Sequence, residues 1–267
     1  DLSNIKKVLL IGKTEGGGQF SSKVDIQMQS LGYKNSLLTT SCTTALEMTA
    51  ILLGMKEADE IIMPSYTFVS TANAFLLRGC KPIFVDVCID DLNIDSNLIE
   101  SAITSKTKAI AIVHYGGVSC NMNKISQIAK KYKLHIIEDA AQGIGAYFNN
   151  SPLGTIGTFG ALSFHNTKNI SSGEGGALII NNSKFTRRAN IIHEKGTNRH
   201  DFKMGKISKY EWRDIGSSYI LSDLSAAVLE SQLSNLTKIT KARLKIWNQY
   251  NNFCINHKYF MGLKKFC

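Results

Sequence analysis

Between residues 60 and 139 the chain alternates short apolar runs with amphipathic segments, and this alternation is the strongest constraint on its fold. The apolar runs are continuous, which is typical of strands buried on both faces of a sheet. Such strands, separated by helices, indicate an α/β fold in which helices cover a mostly parallel sheet. Strands are predicted at residues 60–64, 81–87, 108–114 and 134–139, and helices at 71–77, 96–103 and 123–133.

The remainder of the chain adds two further strands and a helical end. The β runs at 158–164 and 176–181 are close enough to be neighbouring strands. A helix is predicted at 183–195, residues 197–218 are polar and irregular, and a long helix is predicted at 222–251 with Ser222 and Asp223 at its start. We therefore expect a large domain over residues 1–220 and the start of a small domain over 221–267.

Charge and composition exclude several classes of protein. The 267 residues carry a formal net charge of +10, but the basic residues are scattered and form no stripe with interleaved aromatics, so nucleic acid is not expected as a partner. No apolar run reaches the roughly 18–20 residues that span a bilayer, so no membrane partner is expected. The six cysteines have no metal-ligand spacing with histidine and are interpreted as reduced thiols. Since residues 1–7 have no signal-peptide pattern, we expect a cytoplasmic location.

Two residues that follow predicted strands are candidates for chemistry. Asp139 ends the strand 134–139 and is followed by two alanines, so its carboxylate can reach into a cleft at the ligand-binding edge of the sheet. Lys168 stands between an apolar strand and the glycine-rich segment 173–176, a sheltered position that favours the neutral amine of a Schiff-base lysine. The alternatives are that Asp139 only caps the next turn and that Lys168 is a solvated surface charge.

Two further segments are candidates for binding a flat, phosphorylated ligand. Thr43 and Thr44 lie in a hydroxyl-rich stretch that leads into an apolar helical pattern, and a helix N-terminus of this kind can bind phosphate. Tyr66 and Phe68 follow the strand 60–64 and could stack on a ring. An ordinary helix cap and ordinary core packing are the alternative interpretations.

Two nucleotide-binding motifs are suggested by the sequence and rejected. Residues 8–14 resemble a P-loop, but Lys7 stands where its first glycine is required. The glycines of residues 15–18 follow no clear βαβ start, so they do not form a dinucleotide fingerprint.

Taken together and in this order, these segments resemble the fold-type I enzymes that use pyridoxal 5′-phosphate (PLP), and most closely the sugar-nucleotide aminotransferases of the DegT/StrS family. The resemblance covers roughly residues 10–250. It is carried by the stretches 41–48, 62–75, 113–117, 138–142, 153–157, 163–169, 173–176, 194–199 and 212–219.

The resemblance implies a fold-type I PLP-transferase large domain, with a mostly parallel mixed sheet between helices, and a role for each matching residue. Lys168 would carry the cofactor and move the proton, and Asp139 would pair with the ring nitrogen. The other implied cofactor contacts are Phe68 on the ring, Gln142 near the phenolic oxygen, and Thr43, Thr44 and Ser163 on the phosphate. His165 would lie near the reacting atoms.

The resemblance also implies a reaction and partners. An amino group from L-glutamate would pass to the 4-keto carbon of dTDP-4-dehydro-6-deoxy-D-glucose, giving dTDP-4-amino-4,6-dideoxy-D-galactose. Lys195, Arg199 or Arg213 would suit the substrate diphosphate. The protein would be a homodimer with shared active sites, although Ser217 and Ser218 stand where relatives have an asparagine that contacts the partner's cofactor phosphate.

The end of the chain and the nature of the catalytic residue leave two alternatives. Relatives continue about a hundred residues further, so the small C-terminal domain is expected to be largely missing. One alternative is therefore a truncated, inactive homologue that acts as a dimerisation or regulatory module. The other is a different PLP sugar-nucleotide enzyme, such as a dehydratase, although those enzymes have histidine where Lys168 stands.

Overall fold

A computed structural model describes residues 1–257. Within these residues it contains nine β-strands with helices around them. The strands are β1 (Ser36–Thr39), β2 (Glu60–Pro64), β3 (Lys81–Val85), β4 (Thr107–Val113), β5 (His135–Asp139), β6 (Tyr147–Phe148), β7 (Ser151–Pro152), β8 (Phe159–Ser163) and β9 (Gly176–Ile180). Seven of them form one sheet in the order β1-β9-β8-β5-β4-β2-β3, and β6 pairs with β7. Only β9 runs against its neighbours in the large sheet. The predicted α/β fold with a mostly parallel mixed sheet is confirmed.

Helices cover both faces of the sheet. They are α1 (Leu2–Ile11), α2 (Gln19–Ser30), α3 (Cys42–Leu52), α4 (Val69–Leu76), α5 (Met122–Tyr132), α6 (Thr186–His193), α7 (Arg199–Lys203), α8 (Asp223–Ser234) and α9 (Leu236–Ile255). Consecutive strand residues point to opposite faces, so Ile61 packs with α3 and α4 while Ile62 packs with α5. Both isoleucines are fully buried, which explains why the strands read as continuous apolar runs.

The rejected glycine motif has a packing role. Asp223, the first residue of α8, accepts hydrogen bonds at the N-terminus of α2 from the backbone N–H groups of Phe20 and Ser21. A Cβ on Gly18 would lie 2.5 Å from Oδ2 of Asp223, and one on Gly16 would lie 2.0 Å from the Ile220 side chain. These glycines therefore allow close contact between the chain's beginning and α8.

Two predicted helices differ from the structure. Residues 96–103 contain only a 3-10 turn at Glu100–Ala102, because Asp95 accepts hydrogen bonds from the backbone and side chain of Asn97 in a local turn. The predicted helix 222–251 is two helices, α8 and α9, which meet at Asn235. The buried residues of α8 share the core of α1 and α2, and the domain division at residue 220 stays a prediction.

Within residues 1–257, no helix combines the length and the apolar character needed to cross a bilayer.

Candidate active site

A cavity of about 450 Å³ opens at the carboxyl ends of β4, β5 and β8. This is the edge at which open α/β sheets bind their ligands. Six of the seven predicted site residues line it: Thr43, Phe68, Asp139, Gln142, Ser163 and Lys168. The structure thus brings together these six side chains from four separate segments of the chain.

Asp139 forms part of the cavity floor. It is the last residue of β5 and is only 5% exposed. Its Oδ2 accepts a 2.6 Å hydrogen bond from the hydroxyl of Thr71, and its Oδ1 accepts one from the backbone N–H of Ala141. Burial raises the pKa of Asp139, whereas these two hydrogen bonds and the more distant charge of Lys168 act to lower it. Within residues 1–257 no cationic side chain forms an ion pair with this carboxylate, so its charge faces the cavity without a direct counter-ion.

Lys168 lies at the tip of the hairpin that joins β8 to β9. Backbone hydrogen bonds continue the pairing beyond the strands, from the N–H of Phe164 to Gly175 and from the N–H of Asn166 to Gly173. The N–H of Lys168 then closes a tight turn on the carbonyl of His165. This ladder directs the half-buried lysine to the same cavity as Asp139.

The N-terminus of α3 supplies hydroxyl groups to the cavity. Thr43 lines the wall, and its hydroxyl bonds to that of Ser70 at 2.8 Å, while Ser163 lines the wall from the end of β8. Thr44 is placed differently, because its hydroxyl and that of Ser41 form a reciprocal capping box around the first turn of α3. Ser41, rather than Thr44, contacts the cavity, and the phosphate role of Thr44 stays a prediction.

Phe68 and Gln142 stand at the rim. Phe68 is 73% exposed, so one face of its ring is accessible, and it serves as the N-cap residue of α4. The side-chain oxygen of Gln142 accepts a 2.6 Å hydrogen bond from the N–H of Gly116. Gly116 has a φ of 64°, a backbone conformation that glycine adopts without strain. Tyr66 bonds through its hydroxyl to Tyr115 at 2.8 Å and is not among the residues that line the cavity.

His165 lies beside Lys168 on the cavity wall. Its Nδ1 accepts a hydrogen bond from the backbone N–H of Thr167, so the neutral ring carries its proton on Nε2. That nitrogen lies 3.4 Å from the carboxylate of Glu174, which also lines the cavity.

The polar segment after α6 is held by internal ion pairs. Glu194 binds Arg199 and Lys203 at 3.1 Å each, and Arg213 binds Glu211 at 2.8 Å. Neither Arg199 nor Arg213 lines the cavity, and their predicted contact with a substrate diphosphate stays a prediction.

Two residues at the site were missed by the sequence analysis. His114 forms part of the cavity wall and binds the buried Glu138 next to Asp139. Thr71 donates to Asp139 from the first turn of α4. A signal for Thr71 exists in the sequence, because Thr67 and Thr71 are four residues apart in a segment that is otherwise largely apolar.

Enzymes that hold PLP at the carboxyl edge of a mixed α/β sheet form a structural class of their own, and the fold places this chain among its aminotransferases. The chain belongs to the DegT/DnrJ/EryC1/StrS aminotransferase family, whose sequence profile matches residues 4–261. This family depends on PLP, which confirms the predicted cofactor.

Known relatives support this assignment. An uncharacterized protein of Methanocaldococcus jannaschii is 37% identical over 224 residues, which are 83% of this chain and 58% of the relative. The Bacillus subtilis protein NtdA, solved with bound pyridoxamine phosphate (PMP), is 31% identical with a TM-score of 0.79, over 88% of this chain and 52% of that one. PseC, a Helicobacter pylori aminotransferase of pseudaminic acid biosynthesis, is 27% identical with a TM-score of 0.86, over 96% and 68%. The chain thus spans little more than half the length of its curated relative.

Proposed function

We propose that this chain is the PLP-binding part of a transaminase that acts on a sugar nucleotide. The amino donor is L-glutamate, and the acceptor is the 4-keto carbon of dTDP-4-dehydro-6-deoxy-D-glucose. The product is dTDP-4-amino-4,6-dideoxy-D-galactose. The observation that carries the proposal is that the amine of Lys168 and the carboxylate of Asp139 line one cavity, although they come from different strands.

The residues of the cavity fit the cofactor. Asp139 is a buried carboxylate whose two direct donors, a hydroxyl and an amide, are neutral, so neither of them provides the counter-ion that a protonated ring nitrogen would supply. The first turn of α3 offers its N-terminal dipole and the hydroxyls of Ser41 and Thr43 to a phosphate. The exposed ring of Phe68 offers a stacking face.

Each predicted residue has a defined task in this proposal. Lys168 binds the cofactor covalently and afterwards moves the proton at the substrate carbon. Asp139 pairs with the ring nitrogen, and Gln142 lies near the phenolic oxygen. When bound, PLP supplies an electron sink that stabilises negative charge at the substrate carbon. The phosphate contacts are Thr43, Thr44 and Ser163.

The assembly belongs to the same proposal. Residues 1–220 form the PLP-binding domain, and residues 221–267 begin a smaller one. Two copies form a homodimer with shared sites, and the net charge of +10 favours the approach of a diphosphate substrate. Mixing a Lys168→Ala protomer with a protomer altered at the partner-contacting region around Ser217 tests the sharing, because only shared sites regain one intact site per dimer.

Cofactor binding tests the proposal directly. The wild-type chain should take up PLP with a visible absorbance that Lys168→Ala abolishes, whereas Lys184→Ala, an exposed lysine outside the cavity, should not change it. Glutamate should convert the bound cofactor to its aminated form and release 2-oxoglutarate. Product analysis by mass spectrometry and NMR, with different keto-sugar nucleotides, then identifies the acceptor. A wild-type chain that binds no PLP would contradict the proposal.

A further inference from the structure

The hydroxyl of Thr71 is the closest partner of the Asp139 carboxylate. It donates a hydrogen bond of 2.6 Å to Oδ2, and the Thr71 side chain is completely buried. The other oxygen, Oδ1, accepts from the N–H of Ala141 at 3.2 Å, with the thiol of Cys42 at 4.0 Å. A carboxylate has about four acceptor positions. These two hydrogen bonds therefore leave acceptor capacity on a group that lines the cavity.

Thr71 is itself held by a second hydroxyl. The oxygens of Thr67 and Thr71 are 2.8 Å apart. Because an ionised carboxylate can only accept, the proton of Thr71 is directed to Asp139, and Thr67 must donate to Thr71. The chain of bonds thus has one direction, from the cavity wall at Thr67 inwards to Asp139.

The character of these partners suits a carboxylate that must remain charged. Burial raises the pKa of Asp139, and the hydrogen bond from Thr71 acts against this rise. A lysine or arginine at position 71 would also keep the group ionised, but it would neutralise the charge that a ring nitrogen needs. A hydroxyl stabilises and orients the carboxylate without competing for its charge.

We propose that Thr71 is a positioning residue, whose hydroxyl fixes the Asp139 carboxylate in the orientation that receives the protonated ring nitrogen of the cofactor. The inference rests on the proposed function. The first turn of α4 then has two tasks, because it presents Phe68 at its N-cap to the ring and Thr71, three residues on, to the carboxylate.

The test compares two ligands that differ only at the ring nitrogen. PMP binds without a covalent bond to Lys168, so its affinity reports the non-covalent contacts. Its 1-deaza analogue has a carbon in place of the ring nitrogen and cannot pair with Asp139. Dissociation constants of both are measured by fluorescence for the wild type, Thr71→Val and Thr71→Ser. Thr49→Val is the matched control, since Thr49 is equally buried and does not line the cavity, and its hydroxyl bonds to the backbone carbonyl of Leu46 instead of to Asp139.

Thr71→Val should weaken PMP binding by roughly 10- to 100-fold, the range for a hydrogen bond to a charged group, and should leave the deaza analogue unchanged. Thr71→Ser should stay close to the wild type, and Thr49→Val should change neither ligand. If Thr71→Val does not fold, as judged by circular dichroism, Thr71→Ala takes its place. If Thr71→Val weakens the binding of both ligands equally, or changes the binding of neither, the inference is overturned.

The same measurements distinguish a failure of the proposed function from a failure of the role of Thr71. A wild type that binds PMP no better than the deaza analogue has no charge pair at the ring nitrogen, and the role of Asp139 itself is then wrong. A wild type that prefers PMP, together with a Thr71→Val variant that keeps the whole preference, contradicts only the role of Thr71.

Discussion

Nε2 of His114 lies 2.9 Å from Oε2 of Glu138, and neither side chain is exposed to solvent. Nδ1 of His114 accepts a hydrogen bond from the backbone N–H of Cys120, so the ring proton is on Nε2 and is donated to Glu138. The same carboxylate accepts backbone hydrogen bonds from Gly154, Ile156 and Gly157. A buried carboxylate with four donors is well satisfied, and it ties β5 to the loop before β8 and to the cavity wall.

Replacing Glu138 by glutamine should destabilise the fold. The amide NH2 group would face one of the backbone N–H donors, and a buried donor would lose its acceptor. We expect the free energy of unfolding, measured by urea denaturation, to fall by about 3 kcal/mol. The exposed Glu57→Gln is the control and should differ little from the wild type. A similar small effect of both substitutions would show that the Glu138 network contributes little to stability.

The raised pKa of Asp25 should make the stability of the folded chain depend on pH. Burial raises its pKa from 3.8 to about 6, so between these values the folded chain binds more protons than the unfolded chain. The stability that this group contributes is present below about pH 4 and is lost as the pH rises through about 6. Asp25→Asn should therefore gain in melting temperature relative to the wild type across this window and keep the gain at pH 7. A difference between the two proteins that does not vary from pH 4 to pH 7 would contradict this assignment.

Asp223 should stabilise the fold through hydrogen bonds to a distant part of the chain. Its carboxylate accepts hydrogen bonds from the backbone N–H groups of Phe20 and Ser21 at the start of α2, more than 200 residues away along the chain. Asp223→Ala should lower the free energy of unfolding by about 2 kcal/mol, because buried donors at a helix N-terminus lose their cap. Asp95→Ala removes only local bonds to Asn97 and should cost less. Equal losses for the two variants would contradict the importance of the α2–α8 contact.

Gly176 allows close contact between β9 and the start of α3, where the cofactor phosphate is proposed to bind. A Cβ at this position would lie 2.3 Å from the backbone carbon of Ser41 and 2.4 Å from the nitrogen of Cys42. Gly176→Ala should therefore displace the first turn of α3 and weaken the binding of PMP, measured by fluorescence titration. Gly160→Ala is the control, because its Cβ would meet the Gly154 carbonyl, outside the cavity. Gly160→Ala should lower the melting temperature but affect PMP affinity less than Gly176→Ala does. Weaker PMP binding by Gly160→Ala than by Gly176→Ala would contradict the prediction.

The sheet was predictable from the sequence because its strands are buried on both faces. Ile61 and Ile62 are both fully covered although they point in opposite directions, so the apolar signal is unbroken. The break between α8 and α9 gave no such signal. Leu233 and Leu236 are both buried and three residues apart, so the helical periodicity continues across Asn235, where the backbone leaves the helix.

The site was predictable only in part, because its contacts join distant segments. Asp139 and Lys168 were predicted because Asp139 ends one strand and Lys168 follows another, and such residues meet at one edge of the sheet. The bond between Thr71 and Asp139 spans 68 residues. The four-residue spacing of Thr67 and Thr71 marks a polar position in a largely apolar segment, but it does not identify the carboxylate to which Thr71 donates. The different placements of Ser41 and Thr44 depend on cap geometry, which residue type alone does not fix.

The position of Lys168 depends on the number of residues in the hairpin between β8 and β9. Twelve residues separate Ser163 from Gly176. Backbone hydrogen bonds pair Phe164 with Gly175 and Asn166 with Gly173, so residues 164–166 are held in register with residues 173–175. An inserted or deleted residue between Ser163 and Lys168 would turn the Lys168 side chain away from the opening, whereas the irregular connection between β3 and β4 could change in length without that effect. Engineering this site should therefore vary the identity of the amino acids flanking the lysine and leave their number alone.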